Sequence, residues 1–264
     1  MLNSAPSTPH GGEPGRFLTI ALSVQGKEYP LKFIQAKDNG FAMEYTPDPL
    51  ALNLIDSHIK PFIRDGVPVR FHCRYGEHEI GNTDNEASEK AVLVHLQTID
   101  AVAGLGEPVI TVHLNLNPSI PFDLQKAVEN LTRLVNHGKL MGITVCIENL
   151  RRGPASNPNN ILAWAKASGA MITMDIGHAV SSEFVKNGNA TVPDIVEMFS
   201  ERLYEVHMYA REEERHYPIE DITPLIPSLD CLLNTDCVWW TIELDSFEEA
   251  LNTRHRLLEY LSTK

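Results

Sequence analysis

Short runs of β-branched and aromatic residues alternate along the chain with longer stretches whose apolar residues recur every three or four positions. The short runs predict strands at 17–23 (FLTIALS), 41–45 (FAMEY), 68–73 (PVRFHC), 108–114 (PVITVHL), 144–149 (TVCIEN), 171–175 (MITMD), 203–208 (LYEVHM) and 238–244 (VWWTIEL). The longer ones predict helices near 50–65, 85–104, 123–140, 158–168, 192–201, 222–234 and 247–262. The first connection, 24–40, is short and rich in turn residues, and no helix is assigned to it. Gly66, Gly106, Gly142 and Gly169 stand just before strands, where helices are expected to end. Eight strands alternating with helices predict an α/β fold, a single-domain (β/α)8 TIM barrel over 17–264. Residues 1–16 (MLNSAPSTPHGGEPGR) lack the charged start and apolar centre of a signal peptide and read as a disordered leader.

Residues two apart on a strand share a face. Under that rule one parity is apolar: Phe41/Met43, Val69/Phe71, Ile110/Val112, Val145/Ile147, Ile172/Met174, Tyr204/Val206 and Trp240/Ile242 are expected to face the helices. The other parity ends in a reactive group on seven strands: Glu44, His72, His113, Glu148, Asp175, His207 and Glu243. These side chains point inward near the strand carboxyl ends, the face on which barrel enzymes build their sites. His178, placed in the loop after Asp175, and the loop residues Glu214 and His216 belong to the same rim. Thr111, Thr144, Thr173 and Thr241 share the inward parity and read as supporting donors below it.

Each residue has a plainer explanation when taken singly. A lone strand histidine is ordinarily a hydrogen-bonded core residue, and a lone buried carboxylate ordinarily has an arginine partner, for which Arg70 is placed to serve Glu44 or Glu205. Taken together the pattern resists that reading. Acids and imidazoles converging on one barrel mouth repel or stay unsatisfied unless a cation collects them. A divalent metal is therefore expected.

Composition narrows the partners. Lys and Arg number 22 against 35 Asp and Glu, a net charge of −13, which disfavours a general nucleic-acid or anionic-membrane surface. No apolar run approaches the ~20 residues of a membrane span. Cys73, Cys146, Cys231 and Cys237 show no C-x-x-C spacing and read as free thiols of a cytoplasmic protein. A nucleotide-binding glycine loop and a G-x-S-x-G elbow are missing, and no lysine stands at a strand end to form a Schiff base. The last two βα loops, YAREEERHYPIED and DSFEEA, contain no glycine, so a backbone phosphate cup is not expected.

The set FHCRYGEHEIGN, ITVHLN, VCIENL, MDIGHA, EVHMYA and WTIELDS resembles the xylose isomerase-like barrel superfamily, from about Phe17 onward. That superfamily holds sugar isomerases and epimerases, hydroxypyruvate- and inosose-processing enzymes, and endonuclease IV repair enzymes. The order E-N, D-x-G-H, V-H, I-E-L on the last four strands is its most specific part. In the isomerase and epimerase members the resemblance implies one divalent metal (Mn, Mg, Co or Zn) on Glu148, Asp175, His207 and Glu243. It also implies an enediolate stabilised by that metal, with Glu148 and Glu243 exchanging the proton and His178 on the substrate's hydroxyls. Endonuclease IV members imply two or three zinc ions and a fuller set that adds His72, His113, His178, Glu214 and His216. Here the chain departs, because that family has Asp where this chain has Glu214.

The expected reading is a metal-dependent sugar or polyol isomerase or epimerase, with an endonuclease IV-type phosphodiesterase as the alternative and a non-catalytic binding barrel as the third. Arg74, Arg151, Arg152, Arg211 and Arg215 lie in βα loops, and with Glu44 they are the further candidates for contact with a small hydroxylated or anionic substrate. Nucleic acid and membrane are not expected partners, and a homo-oligomer is left open.

Overall fold

The computed structural model describes residues 18–264, so the leader expected over 1–16 lies outside the described residues. Eight parallel strands close into a barrel: β1 (Thr19–Gln25), β2 (Ala42–Thr46), β3 (Val69–Cys73), β4 (Val109–Val112), β5 (Thr144–Glu148), β6 (Met171–Asp175), β7 (Leu203–Met208) and, after a hairpin, β10 (Trp239–Ile242). Each pairs with its neighbours in chain order, and β10 closes on β1 through the pairs Thr19–Trp239 to Leu22–Ile242. The fold is the (β/α)8 TIM barrel that the alternation predicts.

The helices α2 (Ile55–Arg64), α3 (Asn85–Val102), α4 (Leu124–Met141), α5 (Pro158–Ser168), α8 (Val192–Phe199), α9 (Ile226–Leu233) and α10 (Phe247–Leu261) form the outer layer. Their starts carry the expected caps: Asp84, Asp123, Thr191 and Ser246 each accept a backbone N–H of the first turn. Gly142 and Gly169 end α4 and α5 in the left-handed conformation, at φ 72° and 81°. The apolar strand parity is buried against these helices. Met43, Phe71, Ile110, Ile147, Ile172, Val206 and Ile242 are fully covered, and each contributes on the order of 1.5–3 kcal/mol of transfer free energy.

Four features depart from expectation. A helix, α1 (Leu31–Asp38), occupies the connection in which none was assigned, burying Lys32, Phe33 and Ala36. The segment after Asp175 is helical at once, as α6 (Ile176–Ser181) and α7 (Glu183–Lys186), so His178 lies in the first turn of a helix. The loop after β7 folds into an antiparallel hairpin of β8 (Arg211–Glu212) and β9 (His216–Tyr217). Finally, Ile172 pairs with Leu203 while Thr173 pairs with Glu205, so Tyr204 is an extra, bulged residue. Leu203 therefore takes the helix-facing place expected for Tyr204, which is 38% exposed. Beyond the bulge the parity recovers, and Glu205 and His207 both turn inward, fully buried.

Candidate metal centre at the barrel mouth

Glu148 ends β5, Asp175 ends β6, His207 is the next-to-last residue of β7, and Glu243 directly follows β10. One potential ligand atom from each of these four lies within 4.8 Å of the others. His207 Nδ1 is 3.4 Å from both Glu148 Oε2 and Glu243 Oε2, and 4.0 Å from Asp175 Oδ2. Local structure fixes the donors. Asp175 caps α6 by accepting from His178 N–H at 2.6 Å through Oδ1, leaving Oδ2 unpaired. Arg74 donates to Glu243 Oε1 at 2.9 Å, which turns Oε2 toward His207. Asn149 joins the two strand ends beyond the sheet: its side chain donates to Asp175 O (2.9 Å) and accepts from Asp175 N–H (2.8 Å).

Three further groups accompany the first, one of them Glu44, His72 and His207. His72 Nε2 and His113 Nε2 approach Glu148 Oε2 to 3.3 Å and 3.1 Å, and the two nitrogens are 3.3 Å apart. The third is His178, Glu212 and His216, not Glu214. In the hairpin, Glu212 stands directly across from His216, whereas Glu214 is exposed at the turn. Glu212 Oε2 lies 3.4 Å from His178 Nε2. The acidic position is thereby moved two residues from the expected one.

The carboxylates and imidazoles hold one another in unusual protonation states. Burial alone pushes Glu44 and Glu148 toward the neutral acid, but imidazoles outweigh it (His207 with His72 for Glu44, His207 with His113 for Glu148). Glu44 falls to about 2, and Glu148 well below the usual range. Glu243, also buried, is held low by Arg74 and His207. Burial opposes the charge on His72 and His207, yet Glu44 and Glu148 raise His72 to about 10 and His207 well above its ordinary value. Asp175 moves up, through burial and then the Glu148 charge. Protons on two histidines thus offset a surplus of buried negative charge.

The donor set fits a divalent cation. Both Glu148 oxygens, Asp175 Oδ2 and His207 Nδ1 are buried without a hydrogen-bond partner, although leaving each such group unmet costs about 1–3 kcal/mol or more. Three carboxylates and one imidazole form a mostly hard set suited to Mn²⁺, Mg²⁺, Co²⁺ or Zn²⁺.

A cleft of about 160 Å³ opens beside the first group, lined among others by Ser23, Gln25, Lys32, Arg74, Glu214, Arg215 and Glu243. Lys32 reaches it from α1, bonded to Glu28 (3.0 Å) and Leu244 O (3.2 Å). No motif marks this lysine, because its helix is not legible in the sequence. A second cleft of about 180 Å³, lined by Asn115, Leu150, Arg151, Arg152, His178 and Glu212 among others, adjoins the third group. The rim arginines are mostly engaged: Arg151 with Glu212 (3.1 Å), Arg215 with Glu249 (2.7 Å) and Arg211 with Glu213 (3.0 Å). Arg211 lines neither cleft and lies over the Tyr217 ring. Among the described residues, Arg152 has no ion-pair partner. Glu44 is fully buried and touches imidazoles, not the clefts, so its expected contact with substrate is withdrawn.

Tyr209, two residues after His207 and of the same parity, is a buried member of the site that pattern reading passes over. Its ring stacks on His216 (4.0 Å, 4°) and meets His178 edge-on (6.1 Å). A Cβ at Gly177 would come within 2.0 Å of that ring, which is why the D-I-G-H turn needs glycine.

Comparison with known proteins agrees with this architecture. An uncharacterized protein of Methanocaldococcus jannaschii is 34% identical over 157 residues, 59% of this chain and 68% of that protein. Among solved structures, a D-tagatose 3-epimerase-like protein superposes with a TM-score of 0.74 at 18% identity, over 93% of this chain and 98% of its own. Endonuclease IV from Thermus thermophilus superposes with a TM-score of 0.68 at 16% identity, over 93% and 100%. At these identities the structural likeness speaks to fold alone. The family model described as xylose isomerase-like TIM barrel matches residues 27–251, from just after β1 to within α10, and the chain belongs to that family.

Proposed function

We propose that this protein is a divalent-metal-dependent isomerase or epimerase of small sugars or polyols. The observation that carries the reading is the convergence of Glu148, Asp175, His207 and Glu243, with buried oxygens and nitrogen left unpaired, beside a cleft smaller than the ~300–1,000 Å³ of drug-sized sites. The epimerase likeness of the fold agrees with it. When bound there, a divalent ion polarises a carbonyl and its neighbouring hydroxyl, which acidifies the adjacent C–H. Glu243 lines the cleft, is held ionised by Arg74 and His207, and removes that proton. Glu148, in β5 three strands round the barrel from β10, takes a proton from the protonated His72 beside it (3.3 Å) and delivers it to the carbon. Lys32, Ser23 and Gln25 line the same cleft and offer donors to hydroxyls.

The test is exchange of the substrate α-proton with deuterium by metal-loaded protein, over ketoses, aldoses, inososes and hydroxy acids. Glu148→Gln and Glu243→Gln should each slow exchange by about 10²–10⁴-fold. Exchange with none of the panel would sink the reading.

A second reading is favoured by two of the additional ligand groups, His72/His113/Glu148 and His178/Glu212/His216: a multi-zinc phosphodiesterase of the endonuclease IV type. Against it stands the rim, whose arginines are largely engaged by carboxylates, whereas duplex binding needs several free phosphate contacts. Zinc stoichiometry and incision of an abasic-site duplex separate the two. One tight ion and no incision supports the epimerase, while two or three zinc ions with cleavage replaces it.

A further inference from the structure

Glu44 belongs to neither cleft, yet its carboxylate touches two candidate ligands. Oε1 is hydrogen-bonded to His207 Nε2 at 3.0 Å, and Oε2 lies 3.3 Å from His72 Nδ1, an approach of opposite charges that completes no hydrogen bond. The remaining nitrogens of the same rings face the acids of the mouth. His207 Nδ1 is 3.4 Å from Glu148 and Glu243, and His72 Nε2 is 3.3 Å from Glu148. The two rings stand 5.1 Å apart, close enough for one carboxylate to serve both.

An ionised carboxylate accepts hydrogen bonds and donates none, so the nitrogen facing Glu44 in each ring carries a proton. A ring that takes a metal gives up its second proton, and the lone pair then falls on the nitrogen that faces the mouth. We propose that Glu44 is a positioning residue that sets the tautomers of His207 and His72, leaving His207 Nδ1 and His72 Nε2 as ligand atoms. The inference rests on the metal-centre reading above. It carries one further content: His207 is shared with the Glu148/Asp175/Glu243 group and His72 with the His113/Glu148 group, and Glu44, which forms a third group with both rings, is placed to prepare the two. Outer carboxylates of this kind orient ligating histidines and raise their basicity.

Glutamine at position 44 is nearly isosteric but offers one acceptor oxygen and one NH₂. It satisfies one ring as Glu44 does and forces the other to present a lone pair inward. Zn²⁺ titration of full-length protein freed of metal should therefore show an affinity about 10–100-fold weaker in Glu44→Gln than in wild type. In ¹⁵N-histidine-labelled, Zn²⁺-loaded wild type, His207 should show its proton on Nε2 and its zinc-bound nitrogen at Nδ1. That measurement needs no variant and stands even if Glu44→Gln fails to fold. Zinc coordinated through His207 Nε2, or equal affinity in a folded Glu44→Gln, overturns the proposal while leaving the metal centre intact. Wild type that binds no zinc overturns the metal centre and the proposal with it.

Discussion

Two layers of side chains fill the barrel, each pair two residues apart on a strand or its immediate end: Arg70 below His72, Thr111 below His113, Thr173 below Asp175, Glu205 below His207 and Thr241 below Glu243. The lower layer is as polar as the upper and as deeply buried, but it is nearly self-sufficient. Thr111 and Thr173 bond each other at 2.7 Å, Thr241 donates to Glu205 at 2.6 Å, and Trp239 donates to Thr241 at 3.0 Å. Arg70 Nη1 donates to Tyr204 O (2.9 Å) and to Glu205 (3.4 Å), its guanidinium 4.3 Å above the Trp239 ring, with its buried Nε lacking a partner. In the upper layer both oxygens of Glu148, one of Asp175 and nitrogens of His72 and His207 have none. Burial of polar groups by itself therefore does not distinguish a site from a scaffold; unmet hydrogen-bonding capacity and surplus like charge do.

The sharpest way to break this comparison is to cut the lower layer. Arg70→Met should destabilise the fold by about 3–5 kcal/mol, because Glu205 is left buried and uncompensated, while zinc stoichiometry stays at the wild-type value. Urea denaturation beside elemental analysis checks both halves, and lost metal would merge the two layers into one functional unit.

A buried imidazole outside the mouth sharpens the contrast next. His95 on α3 bonds Ala91 O at 2.8 Å, and burial holds it down at about 4, the opposite of His72. The unfolded chain binds this proton from about pH 6.5 downward, so stability is fully present above that and is lost as pH falls toward 4. The loss attributable to His95 is about 3 kcal/mol. Denaturation at pH 7 and pH 4 should show a shallower acid loss in His95→Leu; parallel curves would count against it.

Metal itself probes the upper layer. At a free concentration a hundred times its Kd, one zinc should stabilise wild type by about 2.7 kcal/mol, and Asp175→Ala/His207→Ala should show no such gain. An equal shift in melting temperature for both proteins would place the ion elsewhere. The smallest effect is expected at the rim. Arg152→Ala should raise KM for an acidic or phosphorylated sugar about tenfold, the equivalent of roughly 1.4 kcal/mol, with metal content unchanged, whereas Arg151 is already engaged by Glu212.

The barrel and the inward strand ends were legible because a period of two is a local property, readable from side-chain order alone. What escaped depends on contacts between segments. The helix at Leu31–Asp38 is eight residues long and follows a turn-rich start; Phe33 and Ala36 read as core only once the barrel wall is there to cover them. Tyr204 broke the alternation through a bulge that exists only against β6. Spacing singled out Glu214 beside His216, but an antiparallel hairpin makes neighbours of residues that oppose each other, and Glu212 is the one opposite. Tyr209 has the inward parity, but a phenol bears no charge at neutral pH and so carries none of the signal that marks a buried acid or imidazole.

The amide of Asn149 copies the hydrogen bonding of a peptide group. By giving and taking one bond with the backbone of Asp175, it adds one more rung to the β5–β6 ladder after the main chains have parted. Glu148 and Asp175, two acids that repel, are thereby kept at a strand's width, as if by a ruler. Aspartate at this place would keep the acceptor and lose the donor, and add a third like charge beside the other two. The gauge between the acids is thus set by a neutral neighbour that holds them apart and together at once.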